Sequence, residues 1–263
     1  PDGTFWVGTD SGLFALRGGK AQRFSTRDGL AGDFVRALLA ARDGSVWIGT
    51  RTGLTRLEGE RTTTWRARDG LPDDYVTALA EGRDGEIRVG TNGGGIGLLR
   101  EGRWRRLGRD EGLPVLNVLS LREDRDGQLW AGTNGGGLCV LQKGRFTCAD
   151  SVSGVPAAVV WTLAEDAEGG LLLGTVGSGL VRLREGRFVT YGAREGLGSD
   201  LALAVIEDAR GTIWVGTAGG GLSRFDGTRF TTIGPKDGLP HPVVLALEAD
   251  PSGALWIRTP GGG

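Results

Sequence analysis

Short apolar runs separated by glycine-rich turns recur along the whole chain. In one stretch the runs Val159–Leu163, Leu171–Thr175 and Leu180–Arg184 are rich in aliphatic and β-branched residues. The run that follows, Arg187–Tyr191, alternates between polar and apolar side chains. Short runs of this composition between turn residues predict β-strands. Because glycine tolerates positive φ, Glu185-Gly186 predicts a two-residue hairpin turn. This stretch therefore predicts four antiparallel strands.

A Trp-x-Gly-Thr motif marks the second predicted strand and recurs at a fixed period. Its third position falls at residues 8, 49, 90, 132, 174, 216 and 258, so successive copies lie 41 or 42 residues apart. Three copies are degraded, because Arg88 and Leu172 replace the Trp and Arg258 replaces the Gly. Four short strands in about 40–50 residues are typical of a β-propeller blade. We therefore predict an all-β propeller of about six four-stranded blades.

The distribution of apolar side chains favours blades over a two-sheet sandwich. The first and second strands of each unit are apolar on both faces, whereas the fourth alternate, which predicts that burial falls from strand one to strand four. In a sandwich, one face of every strand would instead be buried and the other would be exposed to solvent. We expect the repeated Trp to pack between blades, and the Gly two residues later to leave room for the neighbouring blade.

The two ends of the repeat leave the closure of the ring open. The chain opens on a second strand, Phe5–Thr9, and closes on another, Ala254–Ile257. Either Val243–Leu247 pairs with the N-terminal strand and closes six blades, or the chain is most of a seven-bladed ring. We expect one domain over residues 1–263, cut from something longer at both ends.

Composition limits the classes of partner. The chain has 31 Lys and Arg against 32 Asp and Glu, for a net charge of −1, and no block of like charge. A nucleic-acid-binding surface needs a basic face to meet phosphates, so this balance argues against one. No run of 18 apolar residues is present, so we expect no membrane-spanning segment in this chain.

Two motifs in register resemble the two-component regulator propeller repeat. Gly-Leu-Pro-x-x-x-Val-x-x-Leu stands at Gly70–Leu79, Asp-Gly-x-x-Trp-x-Gly-Thr at Asp43–Thr50, and a Gly-Gly-Leu sequence ends at Leu222. The resemblance implies the extracytoplasmic or periplasmic sensor region of a bacterial signalling protein. In that family the propeller precedes a membrane helix and a kinase or cyclic-dinucleotide synthase domain, and some members sense oligosaccharides. Propellers of that family usually have seven blades, which favours the alternative that this chain is most of a seven-bladed ring.

The residues that acid–base or metal chemistry commonly uses are scarce. The chain has one histidine, His241, in a loop after Gly-Leu-Pro, whereas propeller lyases and lactonases use several His and carboxylate ligands. The glycine-rich stretch Asn92–Gly97 is followed by a predicted strand, whereas a phosphate loop needs a helix. Asp126-Gly127 predicts a hairpin and lacks the oxygens of a calcium loop. We expect no catalytic residue, no metal and no cofactor.

Positions that differ from blade to blade mark a candidate ligand site. The loops before each first strand and the glycine-rich loops are expected on one face, at the mouth of the channel. Trp161 has no Trp counterpart in the other repeats, and a flat ring among polar groups suits a sugar-like ligand. The alternative, a Trp that fills a gap between blades, stays open. The predicted ligand-binding residues are Trp161, Arg36, Asp73, Asp74 and His241.

The two cysteines flank a predicted hairpin. Counting outward from the turn at Lys143-Gly144 places Cys139 opposite Cys148, as a pair without mutual backbone hydrogen bonds. Such pairs have Cα atoms about 4.5 Å apart, within reach of a disulfide. A disulfide requires an oxidising compartment such as the periplasm. The alternative is two free thiols in a reduced protein.

These observations predict a non-enzymatic sensor propeller that binds a small molecule or an oligosaccharide. Its partners would be that ligand and downstream signalling domains. A protein–protein interaction scaffold is the first alternative, and a lyase or lactonase propeller is the second.

Overall fold

A computed structural model describes residues 3–149, 155, 158–250 and 252–260. The chain is an all-β propeller of six blades built from four-stranded antiparallel sheets, with almost no helix. The fold predicted from the repeat is therefore confirmed. The strands fall into two compact units, residues 1–129 with 141–146 and residues 130–140 with 147–263.

The first sheet has three strands and the next three sheets have four each. Neighbours in sequence are neighbours in each sheet, as in a meander. The strands are β1 (Phe5–Thr9), β2 (Gly12–Arg17), β3 (Lys20–Phe24), β4 (Val35–Ala40), β5 (Val46–Thr50), β6 (Gly53–Glu58), β7 (Arg61–Trp65), β8 (Val76–Glu81), β9 (Ile87–Thr91), β10 (Ile96–Arg100), β11 (Arg103–Leu107), β12 (Val118–Glu123), β13 (Leu129–Thr133), β14 (Leu138–Gln142) and β15 (Arg145–Ala149).

Two further four-stranded sheets and one two-stranded sheet complete the described chain. Their strands are β16 (Val160–Glu165), β17 (Leu171–Thr175), β18 (Leu180–Arg184), β19 (Arg187–Tyr191), β20 (Ala202–Glu207), β21 (Ile213–Thr217), β22 (Leu222–Phe225), β23 (Phe230–Ile233), β24 (Ala246–Ala249) and β25 (Leu255–Arg258). The strand β24 pairs with β25, and β1 pairs with β2 in a sheet of three. Of the two alternatives for closing the ring, the pairing of Val243–Leu247 with the N-terminal strand does not occur among the described strands.

Four single turns of 3-10 helix lie between a fourth strand and the next first strand. They are Thr26–Asp28, Ala67–Asp69, Ala193–Glu195 and Pro235–Asp237. Each ends at a glycine with φ between 93° and 100°. That conformation suits glycine, which has no Cβ to clash.

Burial is greatest in the second strands rather than the first. The strands β5 and β17 are buried at every position, whereas β4 and β16 each have one fully buried residue. The fourth strands β7 and β19 have no fully buried residue, so burial falls at the outer end of the blade, as predicted. The predicted gradient is thus wrong at its inner end, because the first strand is the innermost of a blade and has a sheet neighbour on one edge only.

The glycine of Trp-x-Gly-Thr makes room for the next blade. A Cβ built on Gly49 would lie 2.4 Å from Cγ1 of Val76, and one on Gly216 would lie 2.5 Å from Cγ1 of Val244. Real carbon atoms do not approach so closely, so the first strand of each following blade requires this glycine. The close approach is the one that the spacing of the motif predicts.

The repeated Trp is less uniform than predicted. Trp47 is 5% exposed and stacks on Trp65 with ring centroids 5.3 Å apart, as expected for packing in the core. Trp256, on the two-stranded sheet, is 44% exposed. Its Nε1–H donates to Asp250 over 3.0 Å. With two strands in its sheet, Trp256 has fewer neighbours to cover it.

A glutamate at the end of a first strand binds the hairpin of the blade before it. The backbone N–H of Arg42 donates to Glu81 over 2.9 Å, and that of Arg83 donates to Glu123 over 2.8 Å. Ala167 and Glu207 form the same contact over 2.5 Å. These blade-to-blade contacts lie at the turn between the first and second strands.

None of the described helices is long and apolar enough to cross a membrane.

Candidate functional site

The loop before each first strand is hydrogen-bonded to the glycine-rich loop of the preceding blade. The backbone N–H groups of Gly177 and Gly179 both donate to the carbonyl of Asp200, over 2.9 and 2.8 Å. Gly219 and Gly221 make the same pair of bonds to Pro242, over 3.1 and 2.8 Å. The two kinds of loop therefore share one face within these blades, as the sequence predicted. We call this the loop face.

The glycine-rich loops are closed by a threonine and do not form phosphate loops. The hydroxyl of Thr91 donates to the carbonyl of Gly95 over 2.8 Å and accepts the N–H of Gly94 over 3.1 Å. Thr133 makes the same two contacts with Gly137 and Gly136. Because these N–H groups bind the protein's own oxygens, they do not form a cradle for an anion. The Thr of Trp-x-Gly-Thr is thus a structural residue.

Asp74, a predicted ligand residue, holds its own loop in place. Its Oδ1 accepts the N–H of Ala67 over 2.7 Å, at the start of a 3-10 helix. Asp33 and Asp200 accept the N–H of Thr26 and Ala193 over the same distance. The residue therefore repeats a structural role found in three blades.

Asp73 and His241 also act within their own loops. Oδ1 of Asp73 accepts the N–H of Tyr75 over 2.8 Å, and Nδ1 of His241 accepts the N–H of Val243 over 3.0 Å. Each side chain binds the backbone two residues later, as Asn, Asp and Ser do in turns. Since Nδ1 of His241 accepts a hydrogen bond, its Nε2 is the nitrogen left for other chemistry.

Arg36 and Trp161 lie on β-bulges. The pairing of β4 with β5 shifts between Val35 and Ala37, and that of β16 with β17 shifts between Val160 and Thr162. A bulge leaves one residue out of the ladder and re-aims its side chain. Arg36 is exposed and Trp161 is half-buried. The same shift occurs around Thr77 and Leu203, so the residues chosen by alignment occupy one equivalent backbone position.

Three residues that the sequence analysis did not select form a stack on the loop face. The guanidinium carbon of Arg51 lies 3.8 Å from the ring centroid of Phe34 and 5.8 Å from that of Tyr75. Arg51 follows β5, and the two aromatic residues precede β4 and β8. We call Phe34, Arg36, Arg51, Tyr75 and Thr77 the N-terminal aromatic cluster.

In the blades that begin with β16 and β20, the positions equivalent to this cluster are apolar. Val176 follows β17 and forms an isolated bridge with Leu201, which precedes β20. Val176 is 38% exposed, and Leu201 and Leu245 are each 37% exposed. Together with the bulge residues of β16 and β20, these form the C-terminal aliphatic cluster, whose members are Trp161, Val176, Leu201, Leu203 and Leu245.

The predicted site residues thus separate into two groups within the described chain. Arg36, Asp73 and Asp74 belong to the sheets of β4 and β8, and their loops follow one another around the first unit. Trp161 and His241 belong to the second unit and lie two sheets apart along the chain, before or on β16 and β24. A ligand contact at all five residues stays a prediction.

Cys139 and Cys148 are joined by a disulfide between β14 and β15, with Cα atoms 4.0 Å apart. The pairing is the one that the hairpin register predicts. Cys139 is buried, and its sulfur lies 3.9 Å from the carbonyl oxygen of Gly136. The bridge therefore ties the third and fourth strands of this sheet close to a glycine-rich loop.

Aspartates fix the turns between first and second strands. Hydrogen bonds from the Ser252 hydroxyl and from Trp256 Nε1–H lower the pKa of Asp250 to about 2. Burial alone would raise the pKa of Asp208, but a hydrogen bond from Trp214 Nε1–H and backbone N–H groups hold it below its ordinary value. Among the described residues, no group of three or more His, Cys, Asp or Glu could hold a metal ion.

The family comparison agrees with the motifs in the sequence. The family model of the two component regulator propeller matches residues 29–52 and 112–135. Each match runs from a Gly-Leu sequence through a first and a second strand, and thus contains loop-face residues. The resemblance predicted from the repeat is confirmed. No curated protein matches the chain.

Solved structures with the same fold belong to proteins of several kinds. The extracellular domain of a hybrid two-component system from B. thetaiotaomicron has a TM-score of 0.81 and 21% identity, over 99% of this chain and 36% of that one. Virginiamycin B lyase from Staphylococcus aureus has a TM-score of 0.77 and 18% identity, over 98% of this chain and 88% of that one. PorZ, a surface component of the type-IX secretion system of Porphyromonas gingivalis, has a TM-score of 0.73 and 14% identity, over 95% and 42%. At these identities the similarity concerns the fold alone.

Proposed function

We propose that this chain is the ligand-binding sensor propeller of a bacterial two-component or related signalling receptor. The observation that carries the proposal is the match of two of its segments to the two component regulator propeller. The fold shared with the extracellular domain of a hybrid two-component system supports it. The chain spans about a third of that domain's length. In this proposal the downstream signalling domains lie outside the segment.

We place the propeller outside the cytoplasm, in the periplasm or beyond. The disulfide between Cys139 and Cys148 supports this location, because such bridges persist in oxidising compartments. The ligand we propose is a small molecule or an oligosaccharide, held on the loop face. There the repeat fixes the backbone, while bulge and loop residues vary from blade to blade.

The experiment that tests the sensor role is a ligand screen on the purified chain. Neutral and acidic oligosaccharides would be tested by thermal shift, and every ligand that raises the melting temperature would be titrated by calorimetry. A sensor should bind one saccharide class with a Kd at or below about 1 mM, a binding free energy of about −4 kcal/mol. A complete panel without a binder would contradict the proposal.

A protein-binding scaffold is the second candidate, and the C-terminal aliphatic cluster favours it. Three aliphatic side chains there are more than a third exposed, and exposed apolar patches often mark protein interfaces. Leu201→Ser and Leu245→Ser would weaken the binding of a protein partner. The affinity for a saccharide on the N-terminal aromatic cluster would not change. A change in saccharide affinity alone would exclude this candidate.

We propose that the segment carries out no catalysis. Nδ1 of His241 accepts a backbone N–H, and the glycine-rich N–H groups bind protein oxygens, so these groups are already in use. Incubation with virginiamycin B, a lactone and a set of glycosides, followed by mass spectrometry, tests this. Substrate loss that disappears in His241→Ala would establish the lyase or lactonase alternative instead.

A further inference from the structure

Arg51 is held in a fixed orientation by two aromatic rings. Its guanidinium carbon lies 3.8 Å from the centroid of Phe34 and 5.8 Å from that of Tyr75. Aromatic faces attract a guanidinium electrostatically, and the flat group stacks on them. A guanidinium that meets a ring by its face keeps the N–H groups at its edge for other partners.

Those N–H groups have no acceptor among the residues that the structure describes. No described carboxylate lies within ion-pair distance of Arg51, and no described oxygen accepts a hydrogen bond from it. The arginines nearby along the loop face differ in this respect. Arg66 donates to the carbonyl of Thr52 over 3.1 Å, and Arg106 donates to that of Gly94 over 2.6 Å. Those two residues close loops, whereas Arg51 does not.

The acidic residues of the same blades are engaged elsewhere. Asp33 accepts the N–H of Thr26, Asp74 that of Ala67, and Asp73 that of Tyr75. Their carboxylates therefore bind backbone N–H groups of their own loops, and none of these three lies within ion-pair distance of Arg51. Arg36 lies exposed on the bulge of β4, two residues after Phe34.

The stack is also not required by the repeat. The residues equivalent to Arg51 in the other copies of the repeat are Asp10, Asn92, Asn134, Val176, Ala218 and Pro260. The residues equivalent to Phe34 and Tyr75 include Asn117 and Leu201. The backbone of these blades forms without an arginine or a ring at these places. The stack therefore has a role other than folding the blade.

We propose that Arg51 binds a carboxylate, and that the ligand of this propeller is an acidic saccharide that contains uronic acid. The proposal rests on the sensor function proposed above and adds the charge of the ligand. A carboxylate matches the edge of a guanidinium with two parallel hydrogen bonds, and the ring of Phe34 or Tyr75 offers an apolar face to the sugar. Holding Arg51 in advance lowers the entropic cost of binding.

The test compares an acidic disaccharide with its neutral form. Digalacturonate and its methyl ester would be titrated into the chain, with the Arg51 Nε–H signal followed by NMR and affinity measured by calorimetry. The variants are Arg51→Gln, Arg51→Lys and, as matched control, Arg61→Gln. Arg61 is an exposed arginine at the start of β7, so its replacement removes the same charge. Circular dichroism would show that each variant is folded.

We expect digalacturonate to shift the Arg51 signal and the ester not to. Arg51→Gln should weaken digalacturonate about tenfold or more, as for a lost hydrogen bond to a charged group. The affinity of Arg51→Lys for digalacturonate should lie between those of the parent and of Arg51→Gln, because Lys keeps the charge but lacks the planar fork of the guanidinium. Arg61→Gln should stay within about twofold of the parent.

Three outcomes would overturn the proposal. The first is an NMR titration in which neither digalacturonate nor acetate shifts the Arg51 Nε–H signal. The second is an equal affinity of the chain for digalacturonate and for its methyl ester. The third is an Arg51→Gln variant that binds like Arg61→Gln. A neutral oligosaccharide that binds the parent and Arg51→Gln equally well would overturn the acidic ligand while leaving the sensor function intact. Absence of every saccharide ligand would contradict both.

Discussion

The N-terminal aromatic cluster and the C-terminal aliphatic cluster occupy the same backbone positions in different blades. In both, a bulge re-aims one residue of the first strand, namely Arg36 and Thr77 in the former and Trp161 and Leu203 in the latter. The former presents cationic and aromatic side chains, and the latter presents exposed aliphatic ones. The backbone is thus constant while its chemistry changes.

The difference teaches where the repeat leaves freedom. The glycine of Trp-x-Gly-Thr, the threonine and the capping aspartates each make the same contact in blade after blade, so replacing them would damage the fold. The bulge residues and the residues at the Arg51 position instead differ in chemistry from blade to blade. Ligand specificity can therefore vary at these positions with little loss of folding stability. The two clusters present different side chains on the same blade backbone.

The largest effect should come from residues that both regions share. Gly49→Ala and Gly216→Ala would each drive a methyl group to within 2.5 Å of a valine on the next blade. Such overpacking costs about 3 kcal/mol in free energy of unfolding. Urea denaturation should show nearly equal losses for the two variants. A loss confined to one of them would mean that the two regions are not equivalent in packing.

The control for these variants is a glycine with open space and ordinary φ. A Cβ on Gly108 or Gly234 would meet its nearest atom at 3.6 or 3.9 Å. Gly108→Ala and Gly234→Ala should therefore change the free energy of unfolding by less than about 1 kcal/mol.

Removal of the disulfide should have the second largest effect. The Cys139→Ala, Cys148→Ala double variant opens a loop of nine residues' separation. The chain-entropy estimate for so short a loop is about 2–3 kcal/mol. Mass spectrometry of protein from the periplasm should first find both thiols resistant to alkylation without reductant. Free thiols in that sample would show that the bridge does not form there.

Ligand affinity should separate the two clusters more finely. Truncation of a stacking side chain costs about 1–3 kcal/mol in binding free energy, so Trp161→Ala or Arg36→Ala should weaken a bound saccharide by roughly that amount. Calorimetry on both variants, once shown to be folded, would tell which cluster contacts the ligand. If both bind like the parent, the bulge residues are not part of the site.

The smallest effect concerns pH and the turn aspartates. The folded-state pKa of Asp250, about 2, is below its ordinary value near 3.8. The carboxylate therefore favours the folded state above pH 3.8, and this contribution is lost as pH falls towards 2. The NMR signal of Trp256 Nε1–H should titrate with an apparent pKa of about 2. The Trp47 signal, whose Nε1 has no partner in the described chain, should not follow that titration.

Regular strands were predictable from the sequence, whereas irregular backbone was not. The bounds of β17, β18 and β19 match the runs predicted from alternation and glycine turns. The strand before them runs over Val160–Glu165 rather than from Val159 to Leu163, and Val159 forms an isolated bridge with Asn134. The four 3-10 helices were missed, although an acidic residue followed by Gly marks the end of each.

The candidate site was harder to predict, because most of its polar residues serve the loops. Asp73, Asp74 and His241 differ from the residues at some equivalent positions, but local hydrogen bonds account for them. Arg51 also departs from the repeat, at a position that carries Asn, Val or Ala in later blades. The signal was present, but single positions do not show that two loops bring Phe34 and Tyr75 to one guanidinium.

The contact between Glu81 and the Arg42 N–H has a consequence for how such chains change length. The blade that begins with β8 supplies an acceptor, Glu81, at the end of its first strand and a donor, the N–H of Arg83, in the turn that follows. A duplicated segment of 41 or 42 residues would thus arrive with both halves of the contact. Duplication of such a blade would therefore leave neither the carboxylate nor the amide of this contact unmatched at the new junction.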